Sequence, residues 1–271
     1  MHISKKIRSW IRSWADLRAL DHKALRRVSA TSPIITISTT PKRIVNLKPT
    51  LVSFLSQQLP PREVQINIGD DLFKNNAIPD FILGLETVKL YKVAKDLGPA
   101  TKFIPSLERW RNTEQLLIVA DDDMIYPADW AARLVAADAQ FGRRNCYCIN
   151  GVLIHKSLRS EDCSTGKTLP SGKRRVAIVQ GAGGYTLRPD FVDSSSLLNL
   201  MGAPSRALFD DDVWISGHLS RAGITKFQIA GSRRHGTVNT IESAIGGNRA
   251  ELGTQLLEHF RLDWKDGEYY A

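Results

Sequence analysis

The run Leu116-Leu117-Ile118-Val119-Ala120-Asp121-Asp122-Asp123 constrains this chain more than any other stretch. Four large apolar residues stop abruptly at three carboxylates. A continuous apolar run of this length reads as a strand buried on both faces, of the kind found in parallel sheets. Three adjacent aspartates repel one another unless a cation sits among them, and hard divalent ions prefer carboxylate oxygens. Ligands of open α/β sheets bind beyond the carboxyl ends of the strands. The stretch therefore reads as the floor of a metal-dependent site; solvated aspartates at a strand exit are the plainer alternative.

The surrounding pattern is that of an α/β domain. Ile34-Ile35-Thr36-Ile37-Ser38-Thr39 is a β-branched first strand, and Thr39-Thr40-Pro41-Lys42-Arg43 is expected as a loop at its carboxyl end. Small hydroxyls and two cations there suit a nucleotide or phosphate. An amphipathic helix from Pro49 to about Gln58 and a strand through Val64, Ile66 and Ile68 complete a βαβ unit, which implies a parallel sheet. Another strand is expected over 88–93. A turn at Asp96-Leu97-Gly98-Pro99 then leads to a helix marked by Phe103, Ile104, Leu107 and Trp110. Lys102 sits in its first turn, where a phosphate can bind.

After Asp123, a helix is expected from Pro127 to about Gln140, then one strand over 146–154 carrying Cys146 and Cys148 as small apolar fillers. Residues 156–175 are polar and read as a mobile loop. Gly166-Lys167-Thr168 is not a P-loop, because Glu161 stands where that motif needs glycine. A strand at 176–179 precedes Gln180-Gly181-Ala182-Gly183-Gly184, whose glycines allow close backbone approach. Asp210-Asp211-Asp212 is a second carboxylate cluster and opens a helix that runs to Gly223. A strand over 225–230, the basic loop Arg233-Arg234-His235-Gly236 and a final helix bearing His259 follow.

Charge and cysteine content narrow the function classes. The net charge is +9, of which residues 1–30 carry +6. The basicity belongs to the arm, so the body is not expected to bind nucleic acid. In residues 3–27, Ile3, Ile7, Trp10, Ile11, Trp14 and Leu17 form one helical stripe opposite Lys5, Arg8 and Arg12. That suits a membrane surface, or packing on the body or on a second subunit. Three cysteines without CxxC spacing fit a reducing cytoplasm, and no stretch is apolar enough to span a bilayer.

A metal at the first cluster would neutralise a diphosphate leaving group, and a carboxylate at the second would take a proton from an attacking hydroxyl. In this order the elements resemble a GT-A glycosyltransferase of the inverting, family-2-like group. The likeness runs from Ile34 to about His235. The family's DxD motif matches Asp121-Asp122-Asp123, its basic residue before that strand matches Lys102, and its acidic pair opening a helix matches Asp211-Asp212 through Leu219 to Gly223. His218 departs from the basic residue usual in that helix.

The resemblance implies a GT-A (nucleotide-diphospho-sugar transferase) fold, with a mostly parallel central sheet flanked by helices and an N-terminal amphipathic helix. The arm would be 1–31 and the transferase domain 32–271, with a donor half at 32–125, an acceptor half at 126–240 and a helical end at 241–271. Asp123 would bind Mn²⁺ or Mg²⁺, with His235 as a further ligand. Thr39, Thr40, Arg43, Lys102, Asp121 and Asp122 would hold a nucleotide-diphosphate sugar. Asp212, beside Asp211, would be the base. Gly183 and Gly184 would line the side of a glycan or lipid-linked acceptor, and 156–175 would close over the donor. The implied role is bacterial surface-glycan synthesis (lipopolysaccharide or capsule) at the cytoplasmic face of the membrane. A metal-dependent phosphohydrolase and a membrane-associated binding module are the competing readings.

Overall fold

A computed structural model describes residues 16–165, 169–231, 236–238 and 248–270. Helix α1, Leu17–Leu25, starts at Asp16, whose carboxylate accepts from the backbone N–H of Arg18 (2.9 Å) and Ala19 (3.2 Å). Leu17 and Ala24 are buried against the body. The buried carboxylate of Asp21 accepts from the N–H groups of Glu86 (2.6 Å) and Thr87 (3.0 Å). This part of the arm thus docks on the domain; Ile3 to Trp14 lie outside the described residues.

The first half alternates strands and helices: β1 Ile34–Ser38, α2 Pro41–Ile44, α3 Lys48–Leu55, β2 Glu63–Gly69, α4 Asp70–Phe73 and β3 Val88–Val93. A 3-10 turn, Gly98–Lys102, leads into α5, Ile104–Arg109, then β4, Leu117–Val119, and β5, Met124–Ile125. The second half holds α6 Trp130–Phe141, β6 Asn145–Cys148, β7 Gly151–Leu153, β8 Ser164–Thr165, β9 Lys173–Arg175, β10 Ile178–Val179, β11 Tyr185–Leu187 and α7 Ser194–Leu198. A 3-10 turn, Ala207–Phe209, precedes α8, Asp211–Arg221, followed by β12 Thr225–Ile229, β13 Gly236–Thr237 and α9 Arg249–His259.

Eight strands form one sheet in the order β3-β2-β1-β4-β11-β6-β12-β9. The first four are parallel, as is the β6–β12 pair, while β11 runs against both β4 and β6. The fold is therefore α/β with a largely parallel central sheet flanked by helices. The chain steps outward from β1 to β2 and β3, then returns to place β4 on the other side of β1. That reversal opens a crevice at the carboxyl ends of β1 and β4. The anchoring run is buried on both faces as expected: Leu117 and Val119 join one apolar cluster, Ile118 and Ala120 the other.

Three segments differ from the sequence expectation. Residues 41–44 form a turn of helix because Pro41 has its φ preset at the first helical position, and Arg43 and Ile44 donate to the Thr40 carbonyl (3.0 and 2.9 Å). The expected strand over 146–154 is two strands in different sheets, with β7 leaving to pair with β10 and β8. Gly151 permits this, since a Cβ there would lie 2.7 Å from the Val176 side chain. The expected loop over 156–175 contains β8 and β9, and β9 places Lys173, Arg174 and Arg175 on a sheet edge, where charge discourages further pairing.

A buried ion pair within the second half also reaches the first. Arg188, next to β11, donates to the Asp138 carboxylate of α6 at 2.5 and 3.3 Å, and to the Glu114 carbonyl at 2.6 Å. Asp138→Ala would leave that guanidinium buried and unpaired, so urea denaturation should show a loss of about 3–5 kcal/mol.

Candidate functional site

β1 and β4 are paired up to Thr36 and Val119, so their next residues enter the same crevice. The crevice is a cavity of about 440 Å³. Ser38, Thr39, Thr40 and Arg43 come from β1 and α2, Asp121–Asp123 from the end of β4, and Lys102 from the 3-10 turn. Phe209 comes from the 3-10 turn before α8, and Asp211 and Asp212 from the start of α8. Two sequence clusters that lie 88 positions apart, at Asp123 and Asp211, thus meet across one space.

Lys102 joins them. Its ammonium lies 2.7 Å from Asp121 Oδ1 and 2.8 Å from Asp211 Oδ2, and its side chain is only 6% exposed. Burial alone would pull the ammonium down, but Asp121, Asp211 and Asp212 outweigh it and hold the group charged, well above the usual lysine range. Arg43 plays a similar part on the opposite wall. Its guanidinium grips Asp122 with two donors, one at 3.1 Å, and reaches Asp123 Oδ2 at 3.2 Å.

The three aspartates after β4 therefore have separate surroundings. Asp122 is 6% exposed, whereas Asp121 is 29% and Asp123 30% exposed, so the outer two face the cavity. Burial pushes the Asp122 carboxyl up to about 6, against the pull of Arg43. Burial and then the nearby Asp121 raise Asp123. Asp212 stands well above the carboxylate range, first through burial and then through its neighbour Asp211, with Lys102 pulling the other way. Its Oδ1 accepts the Gly181 N–H at 3.0 Å.

Gly181 is the glycine that the site requires. A Cβ there would lie 2.5 Å from Asp121 Oδ1 and 2.6 Å from Lys102 Nζ. Gly181, Gly183 and Gly184 are not themselves among the residues lining the cavity, but Gly181 meets Asp121, Lys102 and Asp212, which are. The Gly183 carbonyl accepts from Trp130 Nε1 at 2.8 Å, and Gly184, at φ +74°, packs on the same indole. Tyr126 Oη donates to the Gly181 carbonyl (3.2 Å) and accepts the Asp121 N–H (2.9 Å), so one phenol ties the glycine turn to the acidic loop. His218 is buried among Trp214 (4.5 Å between ring centroids) and Phe260 (5.2 Å), and burial lowers its imidazole to about 4. His235 lies outside the described residues.

Asp96, Phe209 and Arg249 also line the cavity and were not singled out in the sequence. Asp96 had a signal, since it precedes Gly98-Pro99: its carboxylate accepts from the Gly98 N–H (3.0 Å) and Thr101 hydroxyl (3.0 Å) to shape the turn that carries Lys102. Six aspartates against three basic residues leave the lining acidic. Among the described residues, no group of three His, Cys, Asp or Glu side chains is placed to hold a metal by itself. Asp121 and Asp123, both open to the cavity, fit as part of an oxygen ligand set for a hard divalent ion.

No protein-family model matches the chain, and no curated protein matches it. Among solved structures it is similar to a putative glucose-1-phosphate thymidylyltransferase from Bacillus anthracis in complex with a sucrose. That likeness has a TM-score of 0.45 and 14% identity, and covers 81% of this chain and 98% of that one. No helix among the described residues is long and apolar enough to cross a membrane.

Asp122 gives the site a pH signature. Its ordinary value is 3.8 and its folded value about 6, so the folded chain holds this proton more tightly. The resulting stability is complete below 3.8 and lost as the pH rises through 6, a change of about 3 kcal/mol. Asp122→Asn removes it, so unfolding free energies at pH 4 and pH 7 should differ by about 2 kcal/mol less in the variant. The same pH dependence in both proteins would refute this account.

Proposed function

We propose that this chain is a GT-A-type, family-2-like inverting glycosyltransferase. It would move a sugar from a nucleotide-diphosphate donor to a hydroxyl of a glycan or lipid-linked acceptor. The observation that carries this reading is the convergence of the two acidic clusters on one cavity, joined by Lys102. Group transfer needs a leaving group and an acceptor held on either side of one carbon, and a cleft with a different acidic wall on each side supplies that.

Asp212 is the base. Its Oδ1 is engaged by Gly181 N–H, which fixes the carboxylate and leaves the other oxygen for the acceptor hydroxyl. A carboxyl raised above its ordinary range is better matched to taking a proton near neutrality. The acceptor oxygen bonds to the anomeric carbon as its proton passes to Asp212. The bond from that carbon to the diphosphate oxygen breaks, the electron pair leaves with the nucleoside diphosphate, and the configuration inverts.

Thr39, Thr40 and Asp121 face the nucleotide side, and Asp123 is the metal-facing carboxylate. Mn²⁺ or Mg²⁺ held there would neutralise the departing diphosphate. Arg43 and Asp122 form the buried pair that sets the height of the loop carrying Asp121 and Asp123. The acidic lining repels a bare diphosphate, so donor binding requires the cation first or together with it. Surface-glycan synthesis at the cytoplasmic face of a bacterial membrane is the setting proposed for this activity.

The deciding experiment measures thermal stability with a panel of nucleoside diphosphates, with and without Mn²⁺. A ligand that binds only the folded chain stabilises it by about 2.7 kcal/mol at one hundred times its Kd. One nucleotide should shift the melting temperature only with metal, and Asp123→Ala should abolish the shift. No shift with any nucleotide, together with hydrolysis of simple phosphomonoesters, would replace this reading with a phosphohydrolase. Asp212→Asn should lower transfer at least about a hundredfold and leave nucleotide binding within error of wild type. Wild-type transfer should rise with pH along an acid limb above the usual carboxylate range, because Asp212 works only when ionised.

A further inference from the structure

The sheet face beneath α5 is polar where packing alone would favour apolar side chains. Thr36 of β1, Gln65 and Asn67 of β2, and Ser106 of α5 are all 0% exposed. Their hydrogen bonds form one network, and two of its members reach the main-chain carbonyl of Lys102. Thr36 Oγ1 donates to it in a short bond, and Asn67 Nδ2 approaches it at 3.4 Å. Asn67 Nδ2 also donates to Thr36 Oγ1 (3.0 Å) and Ser106 Oγ (3.1 Å). Ser106 Oγ donates to Gln65 Oε1 (2.7 Å), and Arg109 reaches the same oxygen at 2.8 Å. Arg109 closes the network at the protein edge, with its guanidinium 3.6 Å from the Tyr91 ring centroid.

An apolar face would hold α5 and its leading turn without fixing their height along the sheet, because hydrophobic contact is non-directional. Hydrogen bonds are directional, and a buried network satisfied in one arrangement specifies that arrangement. Height matters here because the Lys102 ammonium must meet carboxylates from two separate elements at 2.7 and 2.8 Å.

We infer that Thr36 is a positioning residue for the site: its hydroxyl, oriented by the Asn67 amide, fixes the Lys102 main chain so that the ammonium bridges Asp121 and Asp211. Thr36 does not line the cavity. It acts through Lys102. Its effect on rate rests on the transferase reading, while its effect on Lys102 does not.

The test uses the full ¹⁵N-labelled chain and three variants, Thr36→Val, Thr36→Ser and Thr36→Ala. An ammonium buried between two carboxylates exchanges slowly and gives its own ¹H–¹⁵N resonance, which Lys102→Arg assigns by its disappearance. Thr36→Val, close in shape but without the hydroxyl, should lose or displace that resonance while circular dichroism stays that of the folded chain. Thr36→Ser should retain it. If the valine variant does not fold, Thr36→Ala carries the same comparison. Transfer by Thr36→Val should fall at least about tenfold, with most of the rate restored in Thr36→Ser. A wild-type Lys102 resonance in the folded valine or alanine variant overturns the inference and leaves the transferase reading intact. Loss in valine and retention in serine, in a protein that transfers no sugar from any nucleotide donor, supports the positioning role and overturns the transferase reading.

Discussion

A single buried ammonium holds the site together. Lys102 lies between carboxylates that come from a strand end and a helix start, and each pulls its charge into place. Burying an ion pair costs desolvation that its attraction only partly offsets, so such pairs are poor sources of stability. Their value is geometric: a charge-assisted bond has a preferred length and direction, and two of them fix a position. Without Lys102, Asp121, Asp211 and Asp212 would repel across the same space. With it, their separation is set.

The arrangement repeats on the other wall with Arg43, but there the partners differ in exposure. Asp122 is spent inside the protein as an anchor, and this leaves Asp121 and Asp123 pointing outward as an i, i+2 pair. The turn at Asp122-Asp123 and the grip of Arg43 on Asp122 explain why three consecutive aspartates do not share one environment. Lys102 and Arg43 are already paired with protein carboxylates, and six aspartates outnumber the three basic residues of the lining, so the cavity keeps an excess of acid. That excess makes it a better host for a cation with an anionic ligand than for an anionic ligand alone.

The scaffold brings these groups close because the chain reverses its strand order between β1 and β4, and because small and aromatic residues meet behind the acidic loop. Gly181 leaves room for Asp121 and Lys102 where any side chain would collide with both. Tyr126 and Trp130 bond to the Gly181 and Gly183 carbonyls of the glycine turn, which holds it against the cleft. Helix α8 presents Asp211 and Asp212 from its first turn, while Trp214 and His218 further along it pack on Phe260, just after α9.

Much of this was legible in the chain itself. The doubly buried strand ending in aspartates, the βαβ start, and the acidic opening of α8 follow from local periodicity and from where charge interrupts it. So does the place of Lys102 in the turn before α5, though not its two carboxylate partners. Local pattern does not say which of Asp121, Asp122 and Asp123 turns inward, that Gly181 and not Gly183 or Gly184 touches the site, or that β6 and β7 separate at Gly151. It does not reveal Asp96, Phe209 and Arg249 in the cavity wall, or the polar network under α5. Those are long-range facts: each depends on which distant side chain occupies the neighbouring space, and sequence spacing carries no record of that contact. The residue types determined which chemistry was possible; the strand order and the buried cations decided which groups face one another to perform it.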